Sequence, residues 1–226
     1  MKCLVIGGSG FIGSFLIKKL ISENNEVVNF DLQGSNITEV NTIIGDINNR
    51  QDLDNIKSDF DIVYILAAVH KDDVSDYTEY YRTNSNGLDN IINFFIRNKI
   101  DRIVYFSSAA VYGDTFVDAS EEQNLNPESH YGKSKVKAEK KLIDLASKYK
   151  KELKIIRPSV VFGSGSKSNM NRLINYISQN KFFIVGKGNN LKSICYVENL
   201  VDFTIYISKK TLSNKNIFNY LDYPNY

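Results

Sequence analysis

Apolar positions along this chain alternate between short continuous runs and stretches with helical spacing. Lys2 to Ile6 is a β-branched run, Phe11 to Ile21 sets its apolar residues at helical intervals, and Glu26 to Phe30 is a second run ending at Asp31. Thr42 to Ile44 reads as a short strand and Asp61 to Leu66 (DIVYIL) as a buried one. Tyr80 to Asn98 predicts a long helix, Arg102 to Phe106 (RIVYF) a strand, Tyr131 to Tyr149 a lysine-rich helix, and Leu153 to Ile156 a further strand. Strands with no polar face, alternating with amphipathic helices, predict the α/β class: a doubly wound parallel sheet covered by helices on both sides.

After Pro158 the pattern loosens. A loop rich in Gly and Ser spans Gly163 to Ser168, a helix is expected near Met170 to Ser178, and short strands near Phe183 to Val185 and Ile194 to Val197. Glu198 to Lys209 has helical spacing, and Ile217 to Leu221 reads as one more strand. The expected organisation is a sheet domain over residues 1–160 and a smaller, incomplete region over 161–226. That second region would lie over the edge where open α/β sheets bind ligands, and would return elements to the same sheet.

Composition narrows the class without adding chemistry. The 226 residues, 42% hydrophobic and 24% charged, are enough for a sizeable core. A formal net charge of +2 is spread along the chain with no basic block, which indicates neither nucleic acid nor a polybasic membrane patch as a partner. Cys3 and Cys195, far apart and outside any metal-ligand spacing, read as two buried thiols, so no disulfide and no metal is expected. No apolar run approaches the ~18 residues of a membrane span. The N-terminus shows no cleavable leader pattern, and Asn36-Ile37-Thr38 matches a glycosylation sequon by coincidence. A cytoplasmic protein is expected.

The first chemical signal is LVIGGSGFIGSFLI, Leu4 to Ile17. Its glycines spell GxGxxG from Gly8, Gly10 and Gly13, and GxxGxxG from Gly7, Gly10 and Gly13. Between a strand and a helix, such a turn brings backbone N–H groups and the positive helix end against a pyrophosphate. Asp31, ending the next strand, can accept hydrogen bonds from adenosine ribose hydroxyls and would repel a 2′-phosphate, which favours NAD over NADP. Gly45-Asp46-Ile47 offers an acid and an apolar residue to an adenine, and is equally an ordinary turn. Leu66-Ala67-Ala68 ends DIVYIL with small residues that let a dinucleotide lie close, although core packing explains Leu66 as well.

A second signal lies downstream. In Tyr131-Gly132-Lys133-Ser134-Lys135 the phenol and the ammonium share one helix face. A lysine ammonium there is expected to lower the tyrosine from its usual pKa of ~10, making it an acid/base near neutrality. Tyr206 to Lys210 repeats the spacing and reads as a solvated helix end. The first copy is set apart by the RIVYF strand, which runs into Ser107-Ser108 at the carboxyl edge where a doubly wound sheet keeps its ligands. Ser108 can hydrogen-bond a substrate hydroxyl or carbonyl while Tyr131 moves the proton and a nicotinamide moves the hydride.

With these residues in place, the chain resembles the extended short-chain dehydrogenase/reductases of the NAD-dependent epimerase/dehydratase type, which use a Rossmann fold and act on nucleotide sugars. GGSGFIG, Asp31, GDI, LAA, TNSNG (Thr83 to Gly87), FSSAAVYG, YGKSK, IRPSVVFG and KSICYVENL fall in the family's order along essentially the whole chain. The resemblance implies Ser108, Tyr131 and Lys135 as the catalytic trio and the GxxGxxG register. Gly7, Gly10, Phe11, Ile12, Gly13, Asp31, Asp46, Ile47, Leu66, Ala67, Ala68 and Asn84, with Tyr131 and Lys135, would lie along NAD. It also implies a homodimer through the helices at Tyr80 to Asn98 and Tyr131 to Tyr149, and a substrate lobe continuing beyond the strand at Ile217 to Leu221.

Departures from the family pattern choose among its reactions. Sugar 4,6-dehydratases carry an Asp-Glu pair directly after the catalytic hydroxyl, and 3,5-epimerase/reductases need an extra Cys or His there; this chain has Ala109 and Ala110. A nucleotide-sugar 4-epimerase acting on a UDP-hexose or UDP-N-acetylhexosamine remains, with a 4-keto-sugar reductase as the alternative. Lys192 stands where relatives use a basic residue on the diphosphate, and Asn169 is a weaker candidate for the same task. Val160 replaces an Asn that often helps there, and Val197-Glu198-Asn199 replaces Val-x-Asp. Ser168 to Leu200 most resembles members from bacterial polysaccharide biosynthesis. His70 and His130 read as bystanders, the latter shaping a helix start, and Tyr77, Tyr80 and Tyr81 as helix packing. A non-catalytic cofactor sensor or scaffold is the rival class, and it would not need Ser108, Tyr131 and Lys135 together.

Overall fold

The computed structural model describes residues 1–57, 59–70, 76–114, 119–166, 168–183, 187, 191–210 and 216–223. Strands β1 (Lys2–Ile6), β2 (Glu26–Asp31), β3 (Asn41–Ile44), β4 (Ile62–Ile65), β5 (Arg102–Phe106), β6 (Glu152–Pro158) and β9 (Ile217–Tyr220) form one sheet in the order β3-β2-β1-β4-β5-β6-β9, every pair parallel. The order reverses direction at β1, so the carboxyl ends of β1 and β4 open a crevice there.

Alternating side chains divide the core. Leu4 and Ile6 of β1 face a layer built by α4 (Gly87–Arg97) and α5 (His130–Tyr149), through Leu88, Ile91, Phe94, Ala138 and Leu142. Cys3 and Val5 face the opposite layer, where α1 (Phe11–Ser22) and α7 (Val197–Ser208) supply Leu16, Ile17, Leu20, Leu200 and Ile205. Cys3 and Cys195 are the buried thiols the spacing implied. The carboxyl-terminal region thus rejoins the main sheet: α7 packs on α1 and β9 extends β6.

Most expected elements appear within a residue or two of their predicted ends. The long helix over Tyr80 to Asn98 is instead α3 (Thr78–Tyr81), a π-helical turn at Arg82–Asn86, and α4. Three elements had no clear periodicity: α2 (Arg50–Asp54), a 3-10 turn at Ala109–Tyr112, and β7 (Val160–Phe162), which pairs with β8 (Ile194–Tyr196) in a separate two-stranded sheet. Val197 begins α7 rather than ending a strand. The strand expected near Phe183 to Val185 falls largely on residues outside those described, and Phe183 itself is in no strand. Helix α6 (Asn169–Ser178) completes the set.

Candidate active site

The glycine turn after β1 shows which register matters. Gly7 has φ +89°, and a Cβ there would lie 2.3 Å from the Ala67 nitrogen, so the turn is pressed against the end of β4. Gly8 faces inward: its N–H donates to Asn29 Oδ1 at 3.0 Å, and a Cβ would strike Asn29 and Ile17. Gly10 meets only the Gly7 carbonyl, at 3.4 Å, leaving its outer side open, while Gly13 sits so close to Gly7 and Gly8 that no side chain fits. Gly10 caps α1 without a side-chain hydrogen bond, so the first-turn N–H groups of Phe11, Ile12 and Gly13 find no cap. That is an anion-binding helix end bordered by an open glycine.

Asp31 stands half-buried beside this turn. Its carboxylate accepts from Ser9 N at 3.0 Å and Gln33 N at 3.1 Å, which orients both oxygens and leaves lone pairs for a ribose. Asp46 uses one oxygen on Asn48, and Ile47 is buried in the core beneath it, so this segment carries both readings at once. Leu66, Ala67 and Ala68 are half-buried, with the Leu66 and Ala67 amides held by the Ile6 carbonyl. Asn84 is buried within the π-helical turn. Its amide accepts from Val69 N at 2.7 Å and donates to Val69 O at 2.9 Å and Ser134 Oγ at 3.0 Å. It therefore ties the end of β4 to α5 with both ends of its side chain engaged.

The sequence trio comes together at the carboxyl end of β5. Ser108 caps the 3-10 turn, accepting from Ala110 N at 3.2 Å, and its side chain hydrogen-bonds that of Tyr131. Gly132 permits this closeness, because a Cβ there would lie 2.5 Å from the Ala110 carbonyl oxygen. Lys135, 2% exposed, donates from Nζ to the Phe106 carbonyl at 2.7 Å and lies over the Tyr105 ring at 4.8 Å and the Tyr131 ring at 5.9 Å.

The protonation picture corrects the simple expectation of a lowered phenol. Burial pushes the Tyr131 hydroxyl up to about 12, against a lowering contribution from Ser108. Burial likewise brings Lys135 down to about 7, against the nearby Glu139 carboxylate. The lysine Nζ is bonded to a backbone carbonyl and lies 5.9 Å from the centre of the Tyr131 ring, so its charge does not offset the loss of water around the phenol. Between those two values the couple holds one proton fewer than its full complement. Phenol with amine, and phenolate with ammonium, are then two arrangements of the same proton.

The remaining candidates separate from this cluster. Asn169 begins α6, exposed, with Oδ1 accepting from Arg172 at 2.5 Å; Lys192 is exposed ahead of β8. Among the described residues neither shares a hydrogen bond with the trio. Asn199 donates to Asp222 at 3.2 Å, a tie between α7 and the segment after β9. His130 starts α5, stacked on Tyr77 at 4.4 Å and 3.2 Å from the Tyr81 hydroxyl; His70 is exposed after β4. Tyr206 and Lys210 stay on the surface, the ammonium 5.1 Å from the ring. Sequence reasoning missed Asn29, whose one legible sign was an amide inside an apolar strand. It read Tyr80, which meets the Tyr131 ring at 6.2 Å, as helix packing alone, and named Ser107 only beside Ser108; among the described residues the buried Ser107 Oγ has no hydrogen-bond partner.

The sequence model of the NAD dependent epimerase/dehydratase family matches residues 3–220. The chain belongs to the NAD-dependent epimerase/dehydratase family. Among similar relatives of this family is the N-acetyl-alpha-D-glucosaminyl-diphospho-ditrans,octacis-undecaprenol 4-epimerase of Escherichia coli O157:H7, 40% identical over 98% of this chain and 67% of that protein. The UDP-glucose 4-epimerase of Vibrio cholerae is 31% identical over 89% of this chain and 65% of its own length. The chain thus spans about two thirds of these curated relatives. The structure of UDP-glucuronic acid 4-epimerase from Bacillus cereus in complex with NAD superposes with a TM-score of 0.86 at 25% identity, covering 100% of this chain and 80% of that one. The residues present suit the family's cofactor: an open glycine turn at an uncapped helix end, an oriented Asp31, and an orphaned Ser107 hydroxyl beside the trio.

Proposed function

We propose that this chain carries the cofactor half and the acid/base centre of an NAD-dependent sugar 4-epimerase. The observation that carries the reading is the Ser108–Tyr131–Lys135 cluster at the end of β5, followed by Ala109 and Ala110 where other family reactions need a second acid and base. Gly7 to Gly13 hold the pyrophosphate, Asp31 the adenosine ribose, and residues 1–160 form this half, with 161–226 contributing to the sugar side. Held there, NAD would supply the acceptor and donor for the hydride at C4. Tyr131, in its deprotonated arrangement with Lys135 as ammonium, takes the C4 hydroxyl proton as that hydroxyl becomes a ketone, and gives it back after the sugar has turned over. Ser108 holds the oxygen at C4, and Lys135 stabilises the charge on the phenolate oxygen.

The substrate is a hexose or N-acetylhexosamine on a diphosphate. A UDP-linked sugar fits the Vibrio relative and the Bacillus structure; a polyprenyl-diphosphate-linked sugar fits the relative of 40% identity. We infer a cytoplasmic homodimer, through α4 and α5. Among the described residues no helix is long and apolar enough to cross a membrane. The deciding experiment incubates the full-length protein with NAD and, separately, UDP-GlcNAc, UDP-glucose and GlcNAc-diphosphoundecaprenol, and in a further arm with NADH and a UDP-4-keto-6-deoxy sugar. Exchange of C4 isomers without net NADH supports the epimerase and names its carrier. Stoichiometric consumption of NADH with a 4-keto sugar would replace it with a reductase, and inertness towards every substrate would favour the sensor class.

A further inference from the structure

One turn beyond Lys135 on α5 lies a buried ion pair that the mechanism above does not use. Glu139 and Arg157 are 2% and 3% exposed, and the guanidinium of Arg157, on β6, grips the carboxylate twice, Nε to Oε1 at 2.9 Å and Nη2 to Oε2 at 2.6 Å. Arg157 Nη1 donates to the Tyr112 hydroxyl at 2.6 Å, and that hydroxyl donates to Asn219 Oδ1 on β9 at 2.8 Å. Two charges withdrawn from water gain little stability over apolar residues of the same volume. A fully satisfied pair in this place therefore calls for a reason other than stability.

Its position supplies one. Glu139 is four residues after Lys135, on the same helix face. Among the described residues, the groups facing Lys135 are the Tyr131 ring on its own helix, and the Tyr105 ring and Phe106 carbonyl of β5; Tyr80 of α3 meets the Tyr131 ring. Glu139 is the charge that acts on the ammonium, favouring it, while Arg157 is turned onto the carboxylate. We infer that the Glu139–Arg157 pair is a positioning device that biases the shared proton of the Tyr131–Lys135 couple towards the lysine, enlarging the share of phenolate able to receive the C4 hydroxyl proton. Arg157 fixes the carboxylate's direction, and through Tyr112 and Asn219 the pair is braced by the 3-10 turn beside Ser108 and by β9. This role rests on the function proposed above.

The test is the pH profile of kcat for the full-length protein with NAD and its sugar substrate, in wild type, Glu139→Gln, Glu139→Asp and Tyr131→Phe. In wild type the acid limb lies where Lys135 takes up its extra proton, near 7, because the doubly protonated couple cannot accept another. Glu139→Gln removes a charge that favours the ammonium, so the limb moves down by about one pH unit while the plateau falls roughly tenfold. Glu139→Asp keeps the charge and returns the limb towards wild type. A second readout needs no turnover: the ultraviolet phenolate signal of Tyr131, taken as each protein minus its Tyr131→Phe counterpart, decreases at neutral pH in Glu139→Gln. If Glu139→Gln does not fold, because Arg157 is left alone in the core, the double variant E139Q/R157M removes both charges and moves the limb and the phenolate signal in the same direction by a smaller amount. A lower plateau with an unmoved limb and an unchanged phenolate signal would make the pair scaffolding only and overturn the inference. Full turnover in Tyr131→Phe would instead overturn the proposed function, whatever Glu139 does.

Discussion

The two ends of the molecule treat their apolar side chains in opposite ways. Around β1, β4 and β5, Val5, Ile6, Leu16 and Phe30 are wholly inaccessible, and Asp31, Asn84 and Lys135 are each held by hydrogen bonds to neighbouring segments. On α6 and the segment after it, Ile174, Ile177, Phe182 and Phe183 are 42%, 52%, 49% and 75% exposed, and α6 buries no residue at all. Helices α1 and α6, one in each region, both set apolar residues at helical spacing. Periodicity therefore reports that an element forms an apolar face, not that anything packs against it. The difference also separates two kinds of functional residue: those locked in a pre-formed site, where small changes are costly, and those set on a surface, where they are not.

The largest effect expected from this contrast is at Tyr131. Tyr131→Phe keeps the ring against Tyr80 and removes the hydroxyl that Ser108 holds. Loss of a positioned general acid/base costs roughly 10²- to 10⁴-fold in turnover. Cofactor retention, measured as bound NAD per protein, should fall far less than turnover. A turnover loss below tenfold would show that the locked region is not where the chemistry lies.

Gly132→Ala tests the locking itself. The added methyl carbon would sit 2.5 Å from the Ala110 carbonyl oxygen, a backbone atom that cannot yield cheaply, so α5 and the 3-10 turn must separate. A misplacement of about 1 Å between reacting groups lowers turnover about 100-fold. A crystal structure or a kcat close to wild type would show that the contact is loose. Asp31→Asn comes next: it keeps the size of the side chain and removes the charge, and its single amide oxygen can accept from only one of the Ser9 and Gln33 amides. Loss of a hydrogen bond to an ionised group, about 1.5 kcal/mol, weakens NAD binding about tenfold, and relief of repulsion improves NADP binding in parallel. Titration of both cofactors measures the ratio.

How much of this could be read beforehand follows the same division. The strands β1, β4 and β5 were legible because they are buried on both faces and carry no polar alternation. The trio was legible because a tyrosine and a lysine four apart coincided with a hydroxyl pair at a strand end. The π-helical turn was hidden, because its extra residue does not disturb the apolar spacing around it; Asn84 reaches both Val69 and Ser134 from that turn. Tyr80 and the Glu139–Arg157 pair were hidden for another reason: contacts between distant segments leave no local pattern. The direction of the Tyr131 shift was misjudged because spacing reveals a neighbouring charge and not the loss of water around both groups.

The smallest effect belongs to the exposed region, and it is the one that can break the comparison. From Ser159 to Val197 the chain contains no Asp or Glu and five Lys or Arg, so this stretch carries positive charge that no acidic residue of its own offsets. A diphosphate carrier would feel that field wherever it lies along the stretch, and an exposed ammonium contributes through water and salt rather than through a fixed bond. Lys192→Ala is therefore expected to raise KM about threefold with kcat intact, as suits a surface charge worth under about 1 kcal/mol. Asn169→Ala should change less, since its carbonyl is occupied by Arg172. Raising the salt concentration should shrink the Lys192→Ala difference further. A loss of 100-fold, or a fall in kcat, would mean that Lys192 is held against the substrate in the working enzyme as firmly as Lys135 is held against Phe106, and that the exposed region becomes a built site once its sugar is bound.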